Sequence, residues 1–345
     1  MIPKSCQDIL DDIEKLDHEE RFKLYNTLKT ALYPAKPHIN QIVGDVRETK
    51  FSVGIACPYC SGGNIVRNGK FRGRQRYICR ECSKTFNDFT NTPMQRTQLP
   101  DKWMPFLKCM INGLSLRKAA EEIGVTHVTL FYWRHKILEA LKNLDVEKFD
   151  GITELDETYF LYSEKGRRNI SERKPRHRGG KAKKRGISNE QVGVLVVCDR
   201  QKQHMVKVAG TGRINATTLA TMVDGKFGEN LILCSDADTA IKSYSNKHSI
   251  EHVELNAKKK QRIKQGIYHI QNANSFHKRL KDWMSRFNGV ATKYLDNYLA
   301  WFRFITIKMY ESMTAKQRQM LVSASQFNVN ATCESLRVEQ WRKAG

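Results

Sequence analysis

"NLILCSDADTAIKSY", residues 230–244, decides the fold. Its apolar run from Leu231 to Cys234 is short and reads as a buried strand that stops at Asp236, with a helix beginning directly after it. Upstream, "NATTLATMVDGKF" (215–227) is helical, while "QVGVLVVCDR" (191–200) and "HMVKVAGT" (204–211) are strands joined by a turn, an antiparallel hairpin. Before them "GITELDETYF" (151–160) is another apolar strand, which delivers Asp156 and then Glu157. Downstream, "IEHVELN" (250–256) is one more strand. Strands first, then strands alternating with helices, argue an α/β domain with a mixed sheet.

The next stretch, "HIQNANSFHKRLKDWM" (269–284), reads as an amphipathic helix with Phe276, Leu280, Trp283 and Phe287 on one stripe. Asn274 and Lys281 are seven apart, nearly two turns, so they leave that helix in the same direction. After Thr292, "TKYLDNYLAWFRFITIKMYESM" is apolar and helical and is expected to pack beneath the sheet. The last thirty residues carry too little pattern for any element. Between Tyr162 and Glu190 a run rich in Arg, Lys and Gly interrupts the first two strands; it cannot build a core and is expected to be a mobile arm. A second basic run starts at Lys258.

The bulk numbers say what such a chain meets. With 59 Lys and Arg against 36 Asp and Glu, the net charge of +23 disfavours compaction unless the partner is a polyanion, nucleic acid before anionic membrane. No apolar run has the length of a membrane span and the first residues lack a signal-peptide core, so a soluble cytoplasmic protein is expected. Nine cysteines, an odd number with four in two CxxC pairs, fit a reducing compartment and a metal better than disulfides. Those pairs bound "CPYCSGGNIVRNGKFRGRQRYICREC" (57–82): Cys57 and Cys60, then Cys79 and Cys82, across a spacer the length of a β-hairpin. Four thiolates in two knuckles satisfy tetrahedral zinc, so a zinc ribbon is predicted. Ile65, Val66, Tyr77 and Ile78 supply strand character, and Gly69 and Gly73 suit turns. Arg67, Lys70, Arg72, Arg74 and Arg76 line that hairpin, as a DNA-binding edge or as a solvated basic face.

In "SLRKAAEEIGVTHVTLFYWRHKILEAL" (115–141), Ser115 caps a helix burying Leu116, Ala119, Ala120 and Ile123. Gly124 turns the chain, and Thr126 caps a second helix carrying Leu130, Trp133 and Ile137. This is the pattern of a helix-turn-helix, whose second helix would offer His127, Thr129 and Arg134 to a DNA groove; an ordinary helical hairpin also fits. Residues 6–33 make two short amphipathic helices breaking near Asp17 to Glu20, a cap on the molecule or a dimer contact.

Asp156 and Asp236 each end an apolar strand, where ligand-binding side chains of an α/β sheet gather. Glu157, Asp238 and His277 are weaker candidates. Taken with "CPYC…CREC", "ELDETYF", "CSDADTAIKSY" and "YHIQNANSFHKRLKDW" followed by "FNGVATKYLDNYLAWF", the chain resembles DDE-superfamily transposases with a ribonuclease-H-like catalytic domain. It resembles most the zinc-ribbon insertion-sequence group, family fifteen-ninety-five, in the branch whose third acidic residue is replaced by Asn. The resemblance spans most of residues 57–302. It implies that Asp156 and Asp236 bind two Mg²⁺ or Mn²⁺ ions, that Asn274 stands where Glu is usual, and that Lys281 is the accompanying lysine.

The expected molecule is a multidomain chain: an N-terminal helical segment (1–40), a zinc ribbon (50–92) and a helix-turn-helix region (98–145). After these come a ribonuclease-H-like domain (150–313) with its basic insertion at about 163–190, and a tail (314–345). The expected activity is binding of an element's terminal inverted repeats, metal-dependent strand cleavage and strand transfer into target DNA by at least a dimer, in a bacterial, nucleoid-associated setting. A non-catalytic zinc-ribbon and helix-turn-helix regulator is the alternative, since it needs neither aspartate.

Overall fold

The structure, a computed structural model, describes residues 5–32, 39–52, 54–71, 74–167, 169–170, 174, 179–256, 259, 261–329 and 331–338. The first helical pattern folds as α1 (Cys6–Glu14) and α2 (His18–Leu32). Asp17 accepts the Glu20 amide at 2.8 Å and so caps α2, which places the break just ahead of the expected one. The stripe on α1 stays open, with Ile9 and Leu10 exposed. A third helix, α3 (Ile39–Lys50), was not expected from the sequence. Its charges explain it: Asp45 pairs with Arg318, Arg47 forks onto the fully buried Asp88 at 3.1 and 2.9 Å, and Lys50 bonds the Thr90 carbonyl. These bonds add to an apolar contact, since Val46 is fully buried in the core on which the helix packs.

The cysteine knuckles flank a three-stranded antiparallel sheet, β1 (Ile65–Phe71), β2 (Arg74–Cys79) and β3 (Thr85–Asn87). Tyr77 stacks on Phe86 at 5.4 Å to give the ribbon its small core. Gly69 sits at φ +63° where the β1–β2 register slips between Arg67 and Lys70, so it makes a bulge inside β1 instead of the expected turn. Gly73 lies outside the described residues.

Helices α4 (Trp103–Ile111), α5 (Leu116–Ile123) and α6 (His127–Leu141) follow. Both expected caps are present: Ser115 accepts the Lys118 amide and Thr126 the Thr129 amide. Gly124 ends α5 at φ +72°, a left-handed C-cap that a side chain would strain. Trp103 stacks on Trp133 at 4.5 Å, and Leu130, Ile137 and Leu138 are fully buried.

The larger sheet holds β4 (Phe149–Leu161), β5 (Gln191–Asp199), β6 (His204–Thr211), β7 (Phe227–Asp236) and β8 (Glu251–Leu255), in the order β6-β5-β4-β7-β8. β4–β5 and β5–β6 are antiparallel, β4–β7 and β7–β8 parallel, which is the mixed sheet expected. β5 is apolar along almost its whole length because both its faces are covered. On one face Leu195, Val197, Leu155 and Leu233 meet α7 (Ala216–Val223) and α8 (Thr239–Lys247). On the other, Val192, Val194 and Val196 join α9 (Gln271–Ser285) and α10 (Leu295–Ile307). Fully buried Trp301 of α10 meets Trp283 of α9 edge-on at 5.0 Å.

The C-terminal stretch without a readable pattern contains α11 (Met313–Ser325) and α12 (Cys333–Val338). α11 packs on α3, α4 and α6, and its buried side mixes Met320, Leu321 and Ala324 with Gln317, whose amide donates to the Met104 carbonyl at 2.8 Å. A buried face with satisfied polar groups leaves no hydrophobic period to read. The basic insertion carries no helix or strand among its described residues. Its base is tied down: Ser163 and Thr292 exchange two bonds of 2.8 Å, and the Lys165 ammonium donates to the carbonyls of Phe287, Asn288 and Gly289. No described helix is long and apolar enough to cross a membrane.

Candidate active site

The parallel ladder of β4 with β7 runs to Glu154 opposite Cys234. Two residues further along each strand stand Asp156 and Asp236, on the same face as that last pair, since side chains alternate. Neighbouring strands lie roughly 4.8 Å apart. Asp236 ends β7 as expected, but Asp156 does not end β4, which runs on to Leu161 against β5; Asp156 stands just past the point where β4 stops pairing with β7. Burial pushes Asp156 up to about 6; the Glu157 amide, donating at 2.9 Å, pulls the other way, and the charge of Asp236 adds to the rise. Burial and the charge of Asp238 also raise Asp236. The pair is short of positive charge.

Helix α9 packs against β4 and β5. Asn274, His277 and Lys281 succeed one another at spacings of three and four, hence along one line of that helix. The line runs past Asp156: His277 Nδ1 is 3.6 Å from its Oδ2, and the charge of Lys281 lowers its pKa. Burial and the nearby Lys281 bring His277 down to about 4, so its contact with Asp156 is that of a neutral ring, and its Nε2 has no hydrogen-bond partner among the described residues. Asn274 and Lys281 are exposed. Three segments far apart in sequence therefore meet where β7 ends and β4 continues past it.

The weaker candidates separate. Asp238 is the N-cap of α8, accepting the Ala240 amide at 2.7 Å. Glu157 points to the opposite face from Asp156, where it accepts the Tyr159 hydroxyl, and burial pushes it up to about 7. His277 is the one that reaches the site.

A group that sequence reasoning missed is Glu154. It is fully buried on β4, on the same face as Asp156. Its Oε2 accepts the Ala273 amide at 2.9 Å, and its Oε1 accepts Asn272 Nδ2 at 2.8 Å and Arg200 Nη1 at 2.6 Å. His269 Nδ1 lies 3.2 Å from the same oxygen. A signal existed: an acid in the middle of an apolar strand, in phase with a strand-end Asp, must find buried partners.

The second candidate centre is in the ribbon. Cys57 and Cys82 bring their sulfurs to 3.5 Å, Cys60 and Cys79 to 3.6 Å, and all four lie within 4.8 Å of one another. Tetrahedral zinc at about 2.3 Å from each sulfur needs separations of roughly 3.8 Å, so the quartet fits a structural zinc ion. Backbone amides support the thiolates, from Tyr59 and Cys60 to Cys57, from Gly62 to Cys60 and from Lys84 to Cys82. Among the described residues this is the only such group of three or more Cys, His, Asp or Glu.

Of the expected DNA-contacting residues, Arg67, Lys70 and His127 are exposed, Arg74, Arg76 and Thr129 are half-buried, and Arg72 lies outside the described residues. Arg134 is a correction. It is 2% exposed, donates to the Leu114 carbonyl at 3.2 Å and lies over the Trp301 ring at 4.9 Å. Helix α6 is enclosed by α5, α10 and α11, so only its first turn is free to meet a groove.

A family model described as "ISXO2-like transposase domain" matches residues 148–305, and one described as "InsA N-terminal domain", a zinc ribbon, matches residues 51–83. A protein of Halobacterium salinarum, described as an uncharacterized protein in transposable element ISH50, is 27% identical over 266 residues, 72% of this chain and 84% of its own length. Two solved structures, a pre-cleavage Mos1 transpososome and a Mos1 paired-end complex with the left transposon end, are 10% identical with TM-scores of 0.19. They match over 64% and 65% of this chain and 78% and 79% of their own, and likeness that low carries no argument.

Proposed function

We propose that this chain is a zinc-ribbon transposase of the IS1595 family, a reading supported by its two matched domains and its relative in a transposable element, and that it carries out metal-dependent cleavage of the element's ends, then transfer of the freed strands into target DNA. The observation that carries it is the meeting of Asp156 and Asp236 in register with the line of Asn274, His277 and Lys281 beside them. The sheet order, three antiparallel strands continued by two parallel ones with helices on both faces, agrees with a ribonuclease-H-like domain.

The donor set fits Mg²⁺ or Mn²⁺. Hard divalent ions take carboxylate and amide oxygens and keep positions for water and phosphate. Burial and mutual repulsion hold the two carboxyls away from ionisation, a cost that a cation between them relieves. When bound, two such ions activate an attacking oxygen and stabilise a leaving one. Asp156 and Asp236 supply the negative charge that holds them. Asn274 offers a neutral carbonyl, completing a shell without adding charge, and the phosphate itself must serve as ligand more than it would beside a third acid. Lys281, exposed on the same line of α9, grips that phosphate. His277, neutral through burial, steadies the Asp156 carboxylate. The attacking groups are water and then the freed 3′ hydroxyl, so no protein side chain becomes bonded to DNA.

The ribbon edge with Arg67, Lys70, Arg74 and Arg76, and the first turn of α6 with His127 and Thr129, read the ends as a zinc-ribbon and helix-turn-helix pair. Cutting two ends in one assembly requires at least two copies of the chain.

A labelled duplex taken from the DNA flanking the chain's own coding sequence tests this, incubated with Mg²⁺ or Mn²⁺. Nicking that vanishes in Asp156→Ala and Asp236→Ala while binding persists supports the enzyme. Binding with no cleavage in either metal would make the chain a DNA-binding regulator instead.

A further inference from the structure

We propose that Glu154 is the positioning residue of this site: a strand carboxylate that fixes the first turn of α9, and through it Asn274, beside Asp156. This rests on the proposed role of Asn274 at the metal site.

A helix starts with amide groups that have no partner inside it, and the residue just ahead usually caps them. Before α9 that residue is Ile270, whose side chain has nothing to offer. Glu154 does the capping from another element altogether. Its carboxylate takes the Ala273 amide at 2.9 Å and the Asn272 side chain at 2.8 Å, and its charge meets the positive end of the helix.

The same oxygen that holds Asn272 is held in turn by Arg200, at the end of β5. Arg200 Nη2 also donates to the Ile267 carbonyl at 3.0 Å and lies 3.4 Å from His269 Nδ1, a nitrogen that receives the Gln271 amide at 3.3 Å. The chain entering α9 and the first turn of α9 are thus fastened at one point.

The position of that point matters. Glu154 stands two residues before Asp156 on the same strand face, and Ala273 stands one residue before Asn274. The Glu154–Ala273 bond therefore joins strand and helix next to the place where Asn274 has to face Asp156. Sliding α9 by one residue moves it about 1.5 Å and turns it about 100°, which would break the bond. A single contact so placed fixes the rotation and the height of the helix together. Strand β4 then carries one acid for the reaction and, one pleat earlier, another that aims the helix at it.

The experiment uses the full chain on the same flanking-DNA duplex, with Glu154→Gln, Arg200→Met and Asn274→Ala, and measures amide hydrogen exchange as well as cleavage against Mg²⁺ concentration. In E154Q, exchange at residues 271–275 should rise at least about 10-fold while 276–284 stay protected, because only the first turn loses its fastening. Cleavage should fall about 10–100-fold with half-saturation moving to higher Mg²⁺, the usual cost of removing a residue that orients a metal site. Binding to the duplex should be unchanged. On an N274A background the added loss from E154Q should be under about 3-fold, since both changes act through one side chain.

Unchanged exchange at 271–275, or a full multiplication of the two losses, overturns the inference. Should E154Q not fold, R200M puts the same question from the exposed end of the clasp with the same expected pattern. If N274A cleaves like wild type, the proposed role of Asn274 has failed, and raised exchange in E154Q would still establish the clasp.

Discussion

The two candidate metal centres of this chain are built in opposite ways. The zinc quartet draws its ligands from 26 consecutive residues, Cys57 to Cys82, and a hairpin is enough to close it. The proposed catalytic centre would draw Asp156, Asp236 and Asn274 from three elements spread over 119 residues, so that its assembly would depend on the register of β4 with β7 and on the clasp on α9. The first is a closed shell of four like ligands. The second keeps an electrostatic deficit that, in the proposed function, a cation and a phosphate would fill. A local site stores its geometry in spacing, whereas a distributed site stores it in the fold.

The contrast is most exposed to test at the acids. Asp156→Ala or Asp236→Ala should cut single-turnover strand cleavage by at least about 10³-fold, roughly 4 kcal/mol of lost transition-state stabilisation. Asn274→Ala should cost less, because it removes no charge. If all three variants lose the same amount, the neutral ligand is not auxiliary and the distinction between charged and neutral members is wrong. Asn274→Asp adds the missing charge: it should tighten the apparent Mg²⁺ requirement, measured as the concentration for half-maximal cleavage.

On the zinc side, Cys57→Ser or chelation should unfold the ribbon, since ion binding of this kind supplies folding free energy. Duplex binding should weaken about 10-fold or more, the loss of two or three phosphate contacts. Amide exchange should rise across residues 57–87 and stay low across β4 to β8. Exchange spreading into the large sheet would mean that the Arg47–Asp88 fork ties the two regions into one cooperative unit.

Legibility in the sequence divides along the same line. Cys57, Cys60, Cys79 and Cys82 could be placed from spacing alone, and so could the Ser115, Gly124 and Thr126 punctuation of α5 and α6, because each is set by neighbours in the chain. The strands of the large sheet were readable from apolar runs; Asp236 does end its strand, whereas Asp156 lies inside β4, because pairing with β5 carries that strand on to Leu161. Their convergence needed the parallel register. Glu154 was hidden because its partners, Arg200 and Ala273, lie 46 and 119 residues away. Arg134 misled because a helix-turn-helix pattern says which residues leave the second helix, but not that α10 and α11 cover them. α11 went unread because a buried glutamine interrupts its apolar side, whereas α3 was simply missed: Ile39, Ile42, Val43 and Val46 recur at helical spacing just after Pro37.

The deficit at the acids has a pH signature. Asp156 is raised from its ordinary range to about 6 by burial, so the metal-free protein gains stability from the protonated group at low pH. That contribution is complete below about pH 4 and is lost as pH rises through 6; two units correspond to no more than about 3 kcal/mol. The Asp156 part should therefore show as a difference between proteins: relative to Asp156→Asn, metal-free wild type should lose melting temperature from pH 5 to pH 8, while Glu157, raised to about 7, and the buried His135 and His277, lowered to about 3 and about 4 and acting in the opposite sense, contribute to both. Saturating Mg²⁺ should raise melting at pH 8 in wild type far more than in D156N. An equal shift in both would place the ion elsewhere.

The smallest effect separates surface charge from buried charge within the half proposed to bind DNA. Lys70 is exposed on the ribbon edge, so Lys70→Ala should reduce the slope of log binding against log salt by about one, the signature of one released phosphate contact. Arg134 carries the same sign of charge on a helix that looks equally suited to DNA, yet it is buried under Trp301. Arg134→Ala should leave that slope unchanged and instead lower the melting temperature, because it empties space beside Trp301 and frees the Leu114 carbonyl, a loss on the order of 2 kcal/mol. A slope that falls in R134A with no change in melting would return Arg134 to the DNA surface and open α6 along its whole length. If the slopes and the melting shifts divide as expected, the two charges do different work for one physical reason: a phosphate can reach the ribbon edge, and it cannot reach between α6 and α10.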